Sequence, residues 1–116
     1  MKALFLLLTL AIAHADERPS IEKAMQMVST GKLAEADSML LDLEKADPRN
    51  PEVEYRFGLV LLKEGKLDDA RLRLESAAKL NPKYPFVWSA IGLLHETLAK
   101  AAARNDPPTA AKEFRL

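Results

Sequence analysis

His and Cys, two residue types that often carry catalysis or bind metals, are scarce or absent in this chain. The chain has 2 His and no Cys, and His95-Glu96 begins like the helical zinc motif HExxH. Residue 99 is Ala, so the second ligand of that motif is missing. A Ser-His-Asp arrangement would also depend on His95, and no nucleophile motif accompanies it. We therefore expect no enzyme, no metal site and no cofactor, and we predict that His95 is a core or half-buried residue.

Neighbouring carboxylates are the other pattern that could do chemistry. Asp68-Asp69 and the pair Glu35 and Asp37 fall where we expect helices to begin. Negative charge near a helix N-terminus is stabilised by the helix dipole, so we interpret both pairs as structural and predict that Asp68 caps its helix. The 4 Gly of the chain are dispersed, which leaves no glycine-rich loop to hold a phosphate.

Length and charge limit the remaining classes of protein. The chain has 116 residues, enough for one small domain. It carries 17 Lys and Arg against 17 Asp and Glu, so it lacks the basic excess of a nucleic-acid binder. With 48% hydrophobic and 29% charged residues it is neither disordered nor membrane-embedded as a whole. The scarcity of Gly and the runs of Ala, Leu, Glu and Lys favour helices.

The N-terminus has the three-part pattern of a secretory signal peptide. Lys2 precedes an apolar stretch from Ala3 to Ala13, and Ala13-His14-Ala15 fits the A-x-A cleavage site. The stretch is much shorter than the roughly 20 residues that cross a bilayer. We expect a signal peptide at 1–15, cleavage before Asp16 and no stable membrane insertion afterwards, leaving an uncleaved anchor or a buried helix start as the alternatives. Because an exported chain without Cys suits a bacterial envelope, we expect a periplasmic or secreted protein.

Gly and Pro recur along the chain with one period. Gly31 and Gly65 are 34 positions apart, as are Gly58 and Gly92, and two pairs of prolines repeat at the same interval. Such a period indicates a repeat architecture. Aligning 17–50 with 51–84 gives 7 identities, at Gly31, Lys32, Leu33, Ala36, Leu40, Lys45 and Pro48 of the first segment.

A helix–turn–helix unit with this period resembles the tetratricopeptide repeat (TPR) family. In the second unit Ala70, Leu74 and Pro82 fit the A-x₃-F…P part of the family pattern, and the third unit begins with Trp88 and Ile91-Gly92. The resemblance covers 17–116. It implies an all-α fold in which about three units form a right-handed superhelical array.

The resemblance also sets the expected domain organisation. The TPR domain would span 16–116, with repeats at about 17–50, 51–84 and 85–116, the last of them incomplete or irregular. Arg104 to Pro108 form a loop signal, so we expect the third unit's first helix to end near Ala103. Thr109 to Leu116 would then form a short second helix, in which Ala110 and Phe114 keep the A-x₃-F spacing.

Turn residues predict where the helices of each unit begin and end. Asn50 is a suitable N-cap, and Pro51 and Pro85 suit the first helical position, where a missing N–H costs nothing. Gly65 follows an apolar run and suits a helix end in the left-handed conformation.

Small residues predict where helices approach each other. We expect Ala36 and Ala70 at the contact between the two helices of their units. Gly58 and Gly92 fall inside helices, at a cost of about 1 kcal/mol each against Ala, and close helix–helix approach is the expected reason.

The remaining candidate for function is a binding groove. In TPR proteins the first helices of successive units line a concave surface that holds a peptide or a partner's helix. The resemblance therefore implies a non-catalytic scaffold or interaction module with an apolar groove, edged by Glu52, Lys63 and Glu96. The candidate lining is Ile21, Met25, Tyr55, Leu59, Leu62, Phe86, Ser89 and Leu93.

Two other interpretations of the same pattern stay open. Several of the lining residues, Leu62 first among them, would also serve as ordinary packing between units. The chain would then be a structural subunit that self-associates through its third repeat, or the TPR segment of a longer envelope protein or enzyme complex.

Overall fold

Five helices make up the part of the chain that the structure, a computed structural model, describes, which is residues 18–105. They are α1 (Ile21–Ser29), α2 (Leu33–Ala46), α3 (Pro51–Lys63), α4 (Leu67–Leu80) and α5 (Val87–Asn105). No strand occurs in this range, so the all-α prediction is confirmed. The predicted signal peptide at 1–15 and the predicted short helix Thr109–Leu116 lie outside the described residues.

The helices follow one another in space as they do in sequence. Each helix packs against the next, and the contact between α3 and α4 is the most extensive. The odd-numbered helices also touch, α1 with α3 and α3 with α5. The result is a solenoid-like stack in which α1–α2 forms a first hairpin, α3–α4 a second, and α5 lies beside the second.

Glycine turns close both hairpins in the same way. Gly31 and Gly65 have φ angles of 80° and 79°, a left-handed conformation that costs glycine little and other residues more. After each helix the glycine N–H and the next N–H bond back to carbonyls of the last turn, as in Lys32 to Met27 at 2.8 Å and Lys66 to Leu61 at 2.9 Å. The predicted left-handed helix end at Gly65 is confirmed.

The start of α3 is also as predicted. The Asn50 side chain accepts hydrogen bonds from the N–H groups of Glu52 at 3.0 Å and Val53 at 3.4 Å. Pro51 is the first helical residue, where its ring costs no backbone bond.

The start of α5 is different, and the prediction for Pro85 is wrong. The helix begins at Val87, two residues after Pro85. Tyr84 stands where the second hairpin has Asn50 and has no short polar side chain to cap the first turn. Phe86 precedes the helix with a φ of 70°, and its carbonyl accepts from the Ala90 N–H at 2.9 Å.

The prediction that Asp68 caps α4 is wrong as well. The N-cap is Lys66, which makes no side-chain capping bond. Asp68 lies in the first turn of the helix, where its carboxylate pairs with Arg71 at 2.9 Å. A negative charge in that turn still interacts favourably with the helix dipole and so stabilises the helix.

Small residues hold the helices close together. Ala36 and Ala70 are both fully buried, as predicted for contacts inside the hairpins. A Cβ placed on Gly58 would lie 2.7 Å from Leu74 Cγ. Two carbon atoms this close clash, so one of them would have to move. The core continues through both hairpins to α5, with Ala24, Leu40, Phe57, Leu74 and Leu94 among its members.

Candidate functional site: the surface of the first helices

The structure leaves all eight predicted groove residues at least partly accessible. Five are half-buried, namely Ile21, Met25, Tyr55, Leu59 and Leu62, and three are exposed, namely Phe86, Ser89 and Leu93. Four of the half-buried side chains pack against the main core cluster. They therefore contribute to packing and still present apolar surface to solvent.

Tyr55 is held at the junction of α3 with the segment that leads into α5. Its ring lies 5.3 Å from the ring of Tyr84, and the Arg56 guanidinium lies 5.8 Å from its centroid. Burial, with a smaller contribution from the charge of Glu52, raises the pKa of the Tyr84 hydroxyl. Both tyrosines also pack against the small core cluster around Val87, so Tyr55 cannot change without disturbing this junction.

Phe86 does not lie on a helix, although the predicted groove is lined by the first helices of the units. It lies before α5 rather than in it, because the helix starts late. Its side chain is 72% exposed, against 50% for Leu93. Leu93 is therefore the exposed apolar residue of the predicted groove that lies on α5 itself.

A second face of α5 has no covering helix among residues 18–105. Trp88 is 59% exposed with its indole N–H donating to the Pro82 carbonyl at 2.9 Å, and Gly92 and His95 are exposed too. The equivalent positions of α3, one repeat earlier, are Glu54, Gly58 and Leu61, all of them buried.

Two sequence-based predictions on this face are wrong. His95 is exposed rather than a core or half-buried residue. Among the described residues, no atom approaches within 4 Å of a Cβ placed on Gly92, so close helix approach does not explain this glycine. The reason is the same for both residues, since the helix that covers their counterparts in the second hairpin has no equivalent between residues 18 and 105.

A polar cluster joins the two hairpins, and sequence reasoning missed it. Arg73 of α4 pairs with Glu44 of α2 through two bonds, at 3.1 Å and 3.3 Å. Its guanidinium also lies 4.7 Å from the Phe57 ring centroid. Glu54 of α3 is 5% exposed, and burial together with the neighbouring Glu44 carboxyl raises the pKa of Glu54 to about 7.

The repeat itself contained a signal for this cluster. The aligned partners of Arg73, Glu44 and Glu54 in the neighbouring units are Met39, Ala78 and Trp88. A charged residue at a position that is apolar in another unit indicates a polar contact specific to its own unit, because buried charges require partners.

A second polar cluster lies nearer the glycine turn of the second hairpin. Lys66 Nζ lies 3.4 Å from Asp37 Oδ2 and 3.3 Å from Glu64 Oε2. Burial, and then the neighbouring Asp37 carboxyl, raise the pKa of Glu64. Beside this cluster is an open cavity of about 360 Å³, whose lining includes Asp37, Leu41, Phe57, Lys66 and Arg73.

Two other kinds of site are absent from residues 18–105. No group of three or more His, Asp or Glu side chains is placed to hold a metal ion there. Within the same range, no helix has the length and apolar character to cross a membrane. A comparison of the chain with protein-family models and with curated proteins finds no match.

Proposed function

We propose that this chain is a non-catalytic TPR module that binds a peptide or helix of a partner protein. The observation that carries the proposal is the contact of α1 with α3 and of α3 with α5. Three helices that touch in this order form one surface, and each brings apolar side chains that remain partly accessible. Met25, Leu59 and Leu93 occupy the same repeat position in the three helices, so they mark one line across it.

The resemblance to the TPR family and the fold support the same proposal from different sides. Hairpins of similar length, closed by left-handed glycine turns at the same repeat position, are the units from which a right-handed superhelical array is built. Apolar docking of an extended or helical segment is a general mode of recognition, and an exposed apolar patch on a soluble domain is often a binding site. The balanced charge of the chain favours a protein partner over a nucleic acid.

The best single test uses two exposed leucines. Leu93 on α5 belongs to the proposed groove and is 50% exposed, whereas Leu72 on α4 lies outside it and is 60% exposed. We expect Leu93→Ser to weaken partner binding by about 1–2 kcal/mol, the loss typical of one apolar anchor, and Leu72→Ser to leave it unchanged. Affinity for a partner isolated on the immobilised chain from an envelope extract, measured by titration calorimetry, checks this.

Circular dichroism is the folding control for both variants, since neither leucine is in the core. The change of Tyr55 and Leu59 together to Ser is a poorer test, because Tyr55 packs at the junction with α5. If the two leucine variants bind equally well, or if Leu72→Ser is the weaker binder, the groove is not the binding surface.

Self-association is the alternative that one observation favours. The uncovered face of α5, with Trp88 and Gly92, would suit a second copy of the chain. Sedimentation at micromolar concentration distinguishes the two functions. A monomer, which has a mass of 12.9 kDa for the full chain, would argue against self-association and in favour of the groove. A dimer would support self-association.

Export is a further part of the proposal and has its own test. We expect the mature protein to start at Asp16, because Ala13 and Ala15 fit the small pockets of a signal peptidase. N-terminal sequencing of the protein recovered from the envelope of the source cell checks this. A sequence that starts at Met1 would contradict a cleaved signal and leave the anchor or buried-helix alternatives.

A further inference from the structure

Two carboxyl pairs lie across the junction between the first and second hairpins. Glu44 of α2 lies close enough to Glu54 of α3 to raise the pKa of that carboxyl, and Asp37 of α2 shares Lys66 Nζ with Glu64, which follows α3. In each pair one carboxyl belongs to the first hairpin and the other to the second. Two ionised carboxylates repel each other and have no hydrogen to share, so close approach in either pair favours one bound proton.

The pair of Glu44 and Glu54 is well shielded from water. The Glu54 residue is 5% exposed, and the Glu44 side chain is 21% exposed. Among the groups that face the pair, Arg73 of α4 is the cation, and both oxygens of Glu44 already accept from it. One guanidinium balances one carboxylate, so the neutral state of this cluster has Glu54 protonated.

The pair of Asp37 and Glu64 also favours one bound proton, because two of its oxygen atoms are buried without a partner among the described residues. Asp37 Oδ1 and Glu64 Oε1 are both buried, and neither has a hydrogen-bond donor among the described residues. The other oxygen of each carboxyl group pairs with Lys66 Nζ. A proton shared between Oδ1 and Oε1 supplies the missing donor for both buried oxygens, and Asp69 and Arg73 of α4 are the further charges on the adjoining cavity.

We infer that the junction between the hairpins α1–α2 and α3–α4 is a proton-dependent joint, closed when each carboxyl pair holds one proton and loosened when both protons leave. With the protons bound, each pair carries one negative charge against one cation. Without them, two like charges face each other across the junction at each of two places. The repulsion acts between the hairpins rather than within either one, so the predicted response is an opening of the first hairpin from the second.

The direction of the pH effect follows from where the carboxyls hold their protons. Burial and Glu44 raise the pKa of Glu54 from 4.5 to about 7, and the pKa of Glu64 is raised as well. A group whose pKa is higher in the closed state stabilises that state below its ordinary pKa, and this stabilisation is lost as the pH rises through the higher value. The joint is therefore firm in mild acid and weak above neutrality.

Hydrogen exchange of the full chain measures the opening, because a short helix such as α2 is only marginally stable once it loses its packing against the second hairpin. Protection factors of α2 amides, which correct for the intrinsic pH dependence of exchange, are compared with those of α4 amides at pH 5.5 and pH 8.5. If Glu54 regains the ordinary glutamate pKa of 4.5 when the joint opens, against about 7 when it is closed, α2 protection is expected to fall about 30-fold over this range. The α4 amides, inside the second hairpin, are expected to keep most of their protection.

Three variants identify the groups responsible. Glu54→Gln keeps a hydrogen-bond donor toward Glu44 without a titrating proton, so the ~30-fold fall of α2 protection with pH should disappear. Adding Glu64→Gln should remove any pH dependence of α2 protection that is left. Glu52→Gln, on the same helix with a side chain 46% exposed, is the matched control and should behave like the parent. Glu44→Gln removes the same pair from the α2 side and replaces Glu54→Gln if that variant does not fold.

Two results would overturn the inference. Protection in α2 that does not change between the two pH values would show that the carboxyl pairs hold no proton across the junction. An equal fall in α2 and α4 would show that the pairs affect the whole fold and that no joint exists. Loss of partner binding in the leucine variants bears on neither outcome, since the inference is independent of the proposed function.

Discussion

Replacing Ala70 with glutamate is expected to unfold the chain at room temperature. Ala70 is fully buried at the most extensive helix contact of the structure, between α3 and α4. Its carbonyl oxygen lies 3.4 Å from the position of a Cβ on Gly58, so the two backbones leave no room for a longer side chain. A glutamate there must bury a charge and push the helices apart, at a cost of several kcal/mol. A domain of this size is expected to hold only about 5–10 kcal/mol in total.

Thermal unfolding followed by circular dichroism checks the Ala70 prediction. Leu72→Glu is the control, because Leu72 lies on the same helix and is 60% exposed, so the same new charge stays in water. We expect the control to melt within a few degrees of the parent and Ala70→Glu to show little cooperative unfolding. Equal melting of the two variants would mean that α4 does not pack on α3 through the face that contains Ala70.

Local signals along the sequence were enough to predict where α3 begins and ends. Gly31 and Gly65 require no tertiary information, since a left-handed turn after an apolar run favours glycine wherever it occurs. Asn50 with Pro51 is likewise a self-contained start signal, with one side chain capping two N–H groups of its own first turn. The glycine turns recur with the repeat period, which is why one period predicted both hairpins.

The start of α5 shows where the period misleads. Pro85 repeats Pro51, but Tyr84 does not repeat Asn50, and the cap depends on the polar side chain rather than on the proline. The helix therefore begins two residues later. Phe86 takes a left-handed backbone conformation, which is unfavourable for a residue that has a Cβ. A period predicts a boundary only when all the residues that form it recur.

The uncovered face of α5 was harder to predict than the core, for a physical reason. Burial of Ala70 or Leu74 depends on one neighbouring helix that the repeat supplies. Exposure of His95 and Gly92 depends on whether a further helix covers α5, and repeat position alone does not supply that helix. The carboxyl pairs were missed because each pair joins residues of different units, and their contact depends on how the hairpins dock.

Two glycines at the same repeat position are expected to respond to alanine in opposite directions. At Gly58 the new methyl group would lie 2.7 Å from both Leu74 Cγ and Cδ2, and Leu74 is fully buried with little room to move. We expect Gly58→Ala to destabilise the fold by about 1–3 kcal/mol, the usual cost of overpacking, in spite of the better helix propensity of alanine. At Gly92 no atom of the described residues lies within 4 Å, so Gly92→Ala should gain that propensity and stabilise the fold by about 0.5–1 kcal/mol.

Urea unfolding of the two alanine variants beside the parent gives both free energies on one scale, and each variant is the control for the other. The sequence alone predicts the same sign for both, because both glycines sit inside helices at the same repeat position. Opposite signs would show that α4 presses on α3 while the matching face of α5 is open in solution. If Gly92→Ala is as damaging as Gly58→Ala, either another part of the chain or a second copy of it covers Gly92 in solution, and sedimentation of the parent distinguishes the two, because only a second copy makes it a dimer.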